Sequence, residues 1–145
     1  MNIRVCAIIL WFALAACADY TNAPDPAFGL PDTVVAAPTL SRDVQPIFTK
    51  RCSIGGCHSL GTQQADLALS PGASRGELVN RPSQLKPGEK LVIPFRADSS
   101  WLVAMIEESS ARRGSFSLMP LASSPLTPNQ IRTIVNWINR GAPND

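Results

Sequence analysis

The stretch CSIGGCH, residues Cys52–His58, decides how this sequence is interpreted. It brings two thiols and an imidazole close together, and its histidine is the only one in the chain. Two glycines stand between the cysteines, and glycine accepts positive φ angles that other residues avoid. The loop between the cysteines can therefore bulge outward while both sulfur atoms still face one partner.

Two cysteines followed at once by a histidine are typical of covalent haem attachment. Each thiol can add to one vinyl group of the haem, and the imidazole can bind the iron. The usual motif has two residues between the cysteines, whereas this one has four, a spacing that also occurs among c-type haem sites. We therefore expect Cys52, Cys57 and His58 to hold one haem c.

Two other roles stay open for the same residues at this point. In an exported protein, Cys52 and Cys57 could form a disulfide instead, and the chain would then be a lipoprotein that serves as a non-redox interaction module. A structural zinc ion takes four protein ligands. The mature domain offers two cysteines and one histidine with no obvious fourth ligand, so zinc is the weaker of these alternatives.

The second axial ligand of such a haem cannot be a histidine, because His58 is the only histidine in the chain. Met1 belongs to the N-terminal signal, and Met105 lies at helical spacing on an apolar face, where methionine usually fills the core. Met119 stands before Pro120 in a loop between two predicted helices. We therefore predict His58 and Met119 as the iron ligands, with Met105 or solvent as alternatives.

A small haem enzyme is a further alternative. It would need an open iron position with a catalytic acid–base group beside it. No second histidine exists for that role. We accordingly expect an electron-transfer protein rather than an enzyme.

The N-terminus predicts export. Arg4 and the apolar run 5–16 form a signal peptide that is too short to span a bilayer. The run ends in Leu-Ala-Ala-Cys17, which resembles the lipobox of bacterial lipoproteins and implies removal of residues 1–16 and a lipid on Cys17. Ala18 after the cysteine resembles the pattern of lipoproteins sorted to the outer membrane. An ordinary signal peptide, with an unmodified Cys17, is the alternative.

Residues 17–40 predict a tether. They are rich in alanine and proline and follow no helical or strand period. The remaining residues, 41–145, have the length of one small domain. The net charge of +2 and the scattered basic residues exclude a nucleic-acid surface, whereas 13 prolines and 9 glycines indicate a loop-rich domain whose core a cofactor would complete.

Three main helices are predicted in residues 41–145. The first begins near Ser41 or Asp43, and its spacing places Val44, Ile47, Phe48 and Cys52 on one apolar face. The second runs from about Asp98 to Glu108. The third has the clearest boundaries, because Thr127 and Gln130 form a capping box, Pro128 takes the first helical position, and Arg140-Gly141 ends it. A short helical turn is expected at 74–80, and no β-strand is predicted.

From about Thr39 onward the chain resembles a diverged single-haem cytochrome c domain. The motifs that carry the resemblance are VQPIFTKRC before the haem motif, VIP and DSSWL before the middle helix, the Met119-Pro120 loop, and LTPNQIRTIVNWINRGAP as the last helix. The resemblance implies an all-α fold in which long packed loops surround one covalent haem, with first and last helices crossing beside it. It also implies one-electron exchange with redox partner proteins. Phe95 stands where relatives often have glycine.

Several apolar residues are candidates for the wall of a haem pocket, although the same residues could simply form the core. They are Leu67, Leu69, Ile93, Pro94, Leu102 and Ile106.

Overall fold

The computed structural model describes residues 28–145. The predicted signal peptide, the lipidation residue Cys17 and the tether up to residue 27 lie outside the described residues. Extended pairing within the described part is limited to two isolated bridges, so the all-α prediction is confirmed. The helices are α1 (Gln45–Arg51), α2 (Ser74–Leu78), α3 (Trp101–Ile106) and α4 (Pro128–Asn139).

Helix α1 follows a π-helical turn over Leu40–Val44. Pro46 lies in the first turn of α1, where its missing N–H has no helical acceptor to lose. The predicted apolar face is confirmed: Val44, Ile47 and Phe48 are buried, and Cys52 packs against the same core just beyond the helix.

Helix α4 begins as the sequence predicts. The Thr127 hydroxyl accepts a hydrogen bond from the Gln130 amide at 3.2 Å, and the Gln130 side chain accepts one from the Thr127 amide at 3.1 Å. Trp137 is fully buried and meets Phe48 edge-on with ring centroids 6.4 Å apart. Helices α1 and α4 therefore meet in the core.

Helix α3 is shorter than predicted because Ser100 stands in an extended conformation between a 3-10 turn and the helix. Its hydroxyl donates to the Arg96 carbonyl at 2.8 Å and accepts from the Ile93 amide at 2.9 Å, which fixes the turn. All six residues of α3 are buried, so this helix has no solvent face. None of the helices in residues 28–145 is long and apolar enough to cross a membrane.

Residues 28–38, which we call the strap, depart from the tether prediction. They run along α4: the Asn129 amide donates to the Asp32 carbonyl at 3.0 Å, and the Asn136 amide donates to the Val35 carbonyl at 2.8 Å. Leu30 is buried. These contacts join side chains of α4 to the main chain of the strap, so they leave no periodic pattern in the strap's own sequence.

The buried side chains form two clusters. The main cluster joins residues of all four helices and of the loops between them, whereas the small cluster consists of Trp101, Ala104 and Met105. Four of the six pocket-wall candidates are buried in the main cluster, and Ile93 and Pro94 are partly exposed. The four buried candidates are Leu67, Leu69, Leu102 and Ile106.

Phe95 has a φ of +64°, which costs energy for any residue with a bulky side chain. Its exposed ring lies against Gly141, where an added Cβ would come within 2.5 Å of the Phe95 Cζ atom. The left-handed backbone at position 95 is the conformation that glycine adopts most easily.

Candidate functional site

The loop that carries the two cysteines folds back on the end of α1. The His58 amide donates to the Cys52 carbonyl at 3.1 Å, and the Cys57 amide donates to the Ile54 carbonyl at 3.0 Å. Gly56 has a φ of +83°, as the widened spacing requires. The four intervening residues therefore form a closed bulge that returns the histidine main chain to the first cysteine.

The His58 ring is held in one orientation. Its Nδ1 atom lies 3.2 Å from the Leu67 carbonyl oxygen, and because a carbonyl can only accept, Nδ1 must carry the proton. The lone pair of Nε2 is then left for another partner. Metal-binding histidines are typically oriented in this way by a backbone carbonyl. The His58 carbonyl also accepts from the Leu69 amide at 2.7 Å, which fixes the main chain.

The two thiols are free and partly exposed. Burial raises the pKa of the Cys52 thiol to about 12, against the opposing charge of Arg51. Within residues 28–145, no three acidic, cysteine or histidine side chains come together as a metal site.

Met119 lies where the two hydrophobic clusters meet. Its half-buried side chain packs against both clusters, and its amide donates to the Met105 carbonyl at 2.9 Å. Met105 itself is 7% exposed and belongs to the small cluster, as expected for a core residue. The two methionines are thus neighbours, and Met119 is the more accessible of them.

Three of the four predicted haem-binding residues contact the main cluster. Cys52 and Met119 pack directly against the main cluster. His58 is hydrogen-bonded to two members of that cluster, Leu67 and Leu69. Cys57 lies further out, next to the exposed residues of the bulge.

Sequence reasoning missed Arg51, which is only 2% exposed although it is charged. Its guanidinium donates to the carbonyl oxygens of Ser124, at 2.6 Å, and Pro125, at 3.1 Å. A signal was present, because position 51 follows Phe48 by three residues and Ile47 by four. It therefore falls on the buried face of α1.

Sequence reasoning also missed the surroundings of Trp101. This buried indole meets the Phe116 ring edge-on at 5.5 Å between centroids, and the Lys86 ammonium lies 4.6 Å from the indole centroid. A cation over an aromatic face is attractive. The aromatic pair belongs to the small cluster and its border, against which Met119 packs.

Two surface clefts lie elsewhere, with volumes of about 880 and 510 Å³. The larger lies between α3, α4 and the loop at Phe95, and both include Asp98 and Arg112. Neither is lined by Cys52, Cys57, His58 or Met119, and Ile93 in the smaller cleft is the one wall candidate that lines either of them. Asp98 and Arg112 carry opposite charges, so the clefts favour no single class of charged ligand.

Comparison of the chain with protein-family models, with curated proteins and with solved structures finds no match.

Proposed function

We propose that this protein is an exported c-type cytochrome that carries single electrons. In this proposal Cys52 and Cys57 hold one haem by thioether bonds, His58 and Met119 bind its iron, and a lipid on Cys17 anchors the chain to the membrane facing the periplasm. One observation carries the proposal. The only imidazole is oriented through Nδ1 toward the Leu67 carbonyl and stands in one closed loop with two free thiols.

The donor atoms fit such a group. Two thiols are available for thioether bonds, Nε2 of His58 is left with a lone pair, and Met119 offers a soft thioether sulfur. A bound haem supplies a one-electron couple whose potential depends on its axial ligands and surroundings. A methionine ligand favours the ferrous state and therefore raises that potential.

The chain's own contribution is to hold these ligands still and to exclude water. Hydrogen bonds fix the main chain at His58 and at Met119, and the buried side chains of both clusters provide apolar surroundings. Ligands that barely move between oxidation states suit electron transfer. The contact between Phe48 and Trp137 supports the cytochrome c-like arrangement, in which the first and last helices meet.

The alternatives have less support. A disulfide module would join Cys52 to Cys57, and both thiols are free. A haem enzyme would need an acid–base group near an open iron position, whereas the one histidine is already used as a ligand in this proposal. The excess of basic over acidic residues after position 41 suits an acidic redox partner.

An optical redox titration tests the proposal. The full chain is produced in a bacterial host that attaches c-type haem, and its absorption spectrum is followed while the potential is changed. We expect one reversible step with the slope of a one-electron couple. The matched control replaces Cys52 and Cys57 with alanine and should show no such step. Several steps, peroxide turnover or a wild type without haem absorption would contradict the proposal.

A further inference from the structure

We propose that Arg51 is a positioning residue for the segment that carries Met119. In this inference, which rests on the proposed function, its guanidinium ties residues 124–125 to the end of α1. The cysteine that binds the haem directly follows that end. The side chain thereby sets how firmly the methionine sulfur is kept at the iron.

The position of Arg51 in the chain is the first argument. It is the last residue of α1 and immediately precedes Cys52. Its side chain reaches a segment more than seventy residues away, where it donates to the Ser124 carbonyl, the Ser124 hydroxyl and the Pro125 carbonyl at 2.6, 3.2 and 3.1 Å. The two sides of the proposed haem site are thus joined by one side chain.

The segment itself has little other packing, which is the second argument. All residues from Leu121 to Pro125 are exposed, and the chain is buried again only at Leu126. An exposed segment of this kind moves easily unless hydrogen bonds hold it. Hydrogen bonds from a charged donor are stronger than neutral ones. Arg51 therefore contributes much of what fixes the five residues after Pro120.

Burial of the guanidinium is the third argument. Removing a charge from water is costly, so a buried arginine is retained only where its hydrogen bonds compensate for that cost. The strap covers the charge from outside: the Phe28 ring centroid lies 4.0 Å from the Arg51 Cζ atom. The neighbouring Lys50 ammonium donates to the Phe28 carbonyl at 2.8 Å and holds the strap in place. Because Phe28 covers the guanidinium, water is excluded from the hydrogen bonds between Arg51 and residues 124–125, which strengthens them.

The test compares two arginines that make the same kind of contact. Arg75 also donates to a distant carbonyl, that of Ala142, at 2.7 Å, but neither residue belongs to the Met119 segment. Arg51→Met and Arg75→Met each remove a charged donor and keep an unbranched side chain. Each haem-loaded variant is examined for thermal unfolding by circular dichroism, for cyanide binding to the oxidised form, and for hydrogen exchange at the Met119 amide.

Cyanide must displace the sulfur ligand, so its affinity reports how firmly that ligand is held. We expect Arg51→Met to bind cyanide at least about tenfold more tightly than wild type, which corresponds to about 1.4 kcal/mol. The Met119 amide, bonded to the Met105 carbonyl, should exchange at least about tenfold faster. Arg75→Met should change the cyanide affinity and the exchange rate by no more than about twofold. This should hold even if its unfolding temperature falls as far as that of Arg51→Met.

The inference is overturned if Arg51→Met behaves like Arg75→Met in both cyanide binding and exchange. If Arg51→Met does not fold, Arg51→Lys takes its place, because lysine keeps the charge but loses the planar fork. It should raise the cyanide affinity by about threefold, and a value equal to wild type would overturn the inference. A wild-type protein without haem would instead overturn the proposed function, and this inference with it.

Discussion

The choice between Met119 and Met105 as iron ligand gives the sharpest prediction for the site. The same substitution, methionine to leucine, is made at each position. Leucine has nearly the volume of methionine but no sulfur. Because the hydrogen bond between the two residues joins main-chain atoms, both variants retain it. Comparing the two leucine variants therefore separates the effect of losing the sulfur ligand from the effect of changed packing.

The structure limits how far either substitution can disturb the fold. Met105 is 7% exposed, and a swap of similar volume in a packed core costs less than about 1.5 kcal/mol. Met119 is only partly buried, so its replacement costs no more. For a domain of about 100 residues, this lowers the unfolding temperature by at most roughly 10 °C. Both variants should therefore be folded at room temperature.

The two variants should differ in their spectra and potentials. Oxidised cytochromes of the family that this chain resembles show a weak far-red band when a methionine sulfur binds the iron. We expect Met119→Leu to lose this band and to lower the reduction potential by at least about 60 mV, which is a tenfold loss of preference for ferrous iron. Met105→Leu should keep both. The reverse result would make Met105 the ligand, and a band kept in both variants would refute methionine ligation.

Three further predictions concern the anchor and the fold. Cys17→Ser should move the protein from the membrane fraction to the soluble fraction or leave an uncleaved precursor, whereas soluble wild-type protein with an unmodified N-terminus would contradict lipidation. Gly141→Ala should destabilise the domain by about 1–2 kcal/mol or more in thermal unfolding, because φ at Gly141 is +98° and the new Cβ would clash with Phe95. Adding Phe95→Ala should restore the stability that is lost to this clash. A single variant as stable as wild type would refute the contact. Burial pushes the pKa of Asp43 upward, but hydrogen bonds from Arg42 and Thr39 outweigh it and leave that pKa below its ordinary value. The Asp43 contribution to stability is therefore present above the ordinary pKa of about 4 and is lost as the pH falls through the lowered pKa of the folded protein. Asp43→Asn should thus reduce the free energy of unfolding most at neutral pH and not at all in strong acid. A reduction in urea unfolding that does not change with pH would contradict this sign.

Much of the fold could be predicted where local chemistry decides it. The capping box at Thr127 and Gln130 and the proline at the first position of α4 fixed the start of that helix. The apolar spacing of α1 was correct for the same reason. The start of α3 was not predictable in this way, because Ser100 breaks the helical pattern through hydrogen bonds to residues of the preceding turn.

Long-range contacts explain what sequence reasoning missed. The strap is held by side chains of α4 about a hundred residues away, such as Thr133 and Asn136, and these contacts have no local signature. The role of Arg51 likewise depends on where residues 124–125 lie. By contrast, Cys52, Cys57 and His58 are close together in sequence, so their proximity could be predicted. The Nδ1 contact of His58 required the structure.

Covalent haem is the central claim, and the mass of the intact protein under denaturing conditions tests it most directly. The full chain is produced in a host that attaches c-type haem, and the same preparation is made with Cys52 and Cys57 both replaced by alanine. We expect the denatured wild-type protein to have the mass of the polypeptide plus one haem, and the double variant to have the mass of the polypeptide alone. A wild type with the mass of the bare polypeptide, or a double variant that still retains haem, would contradict it.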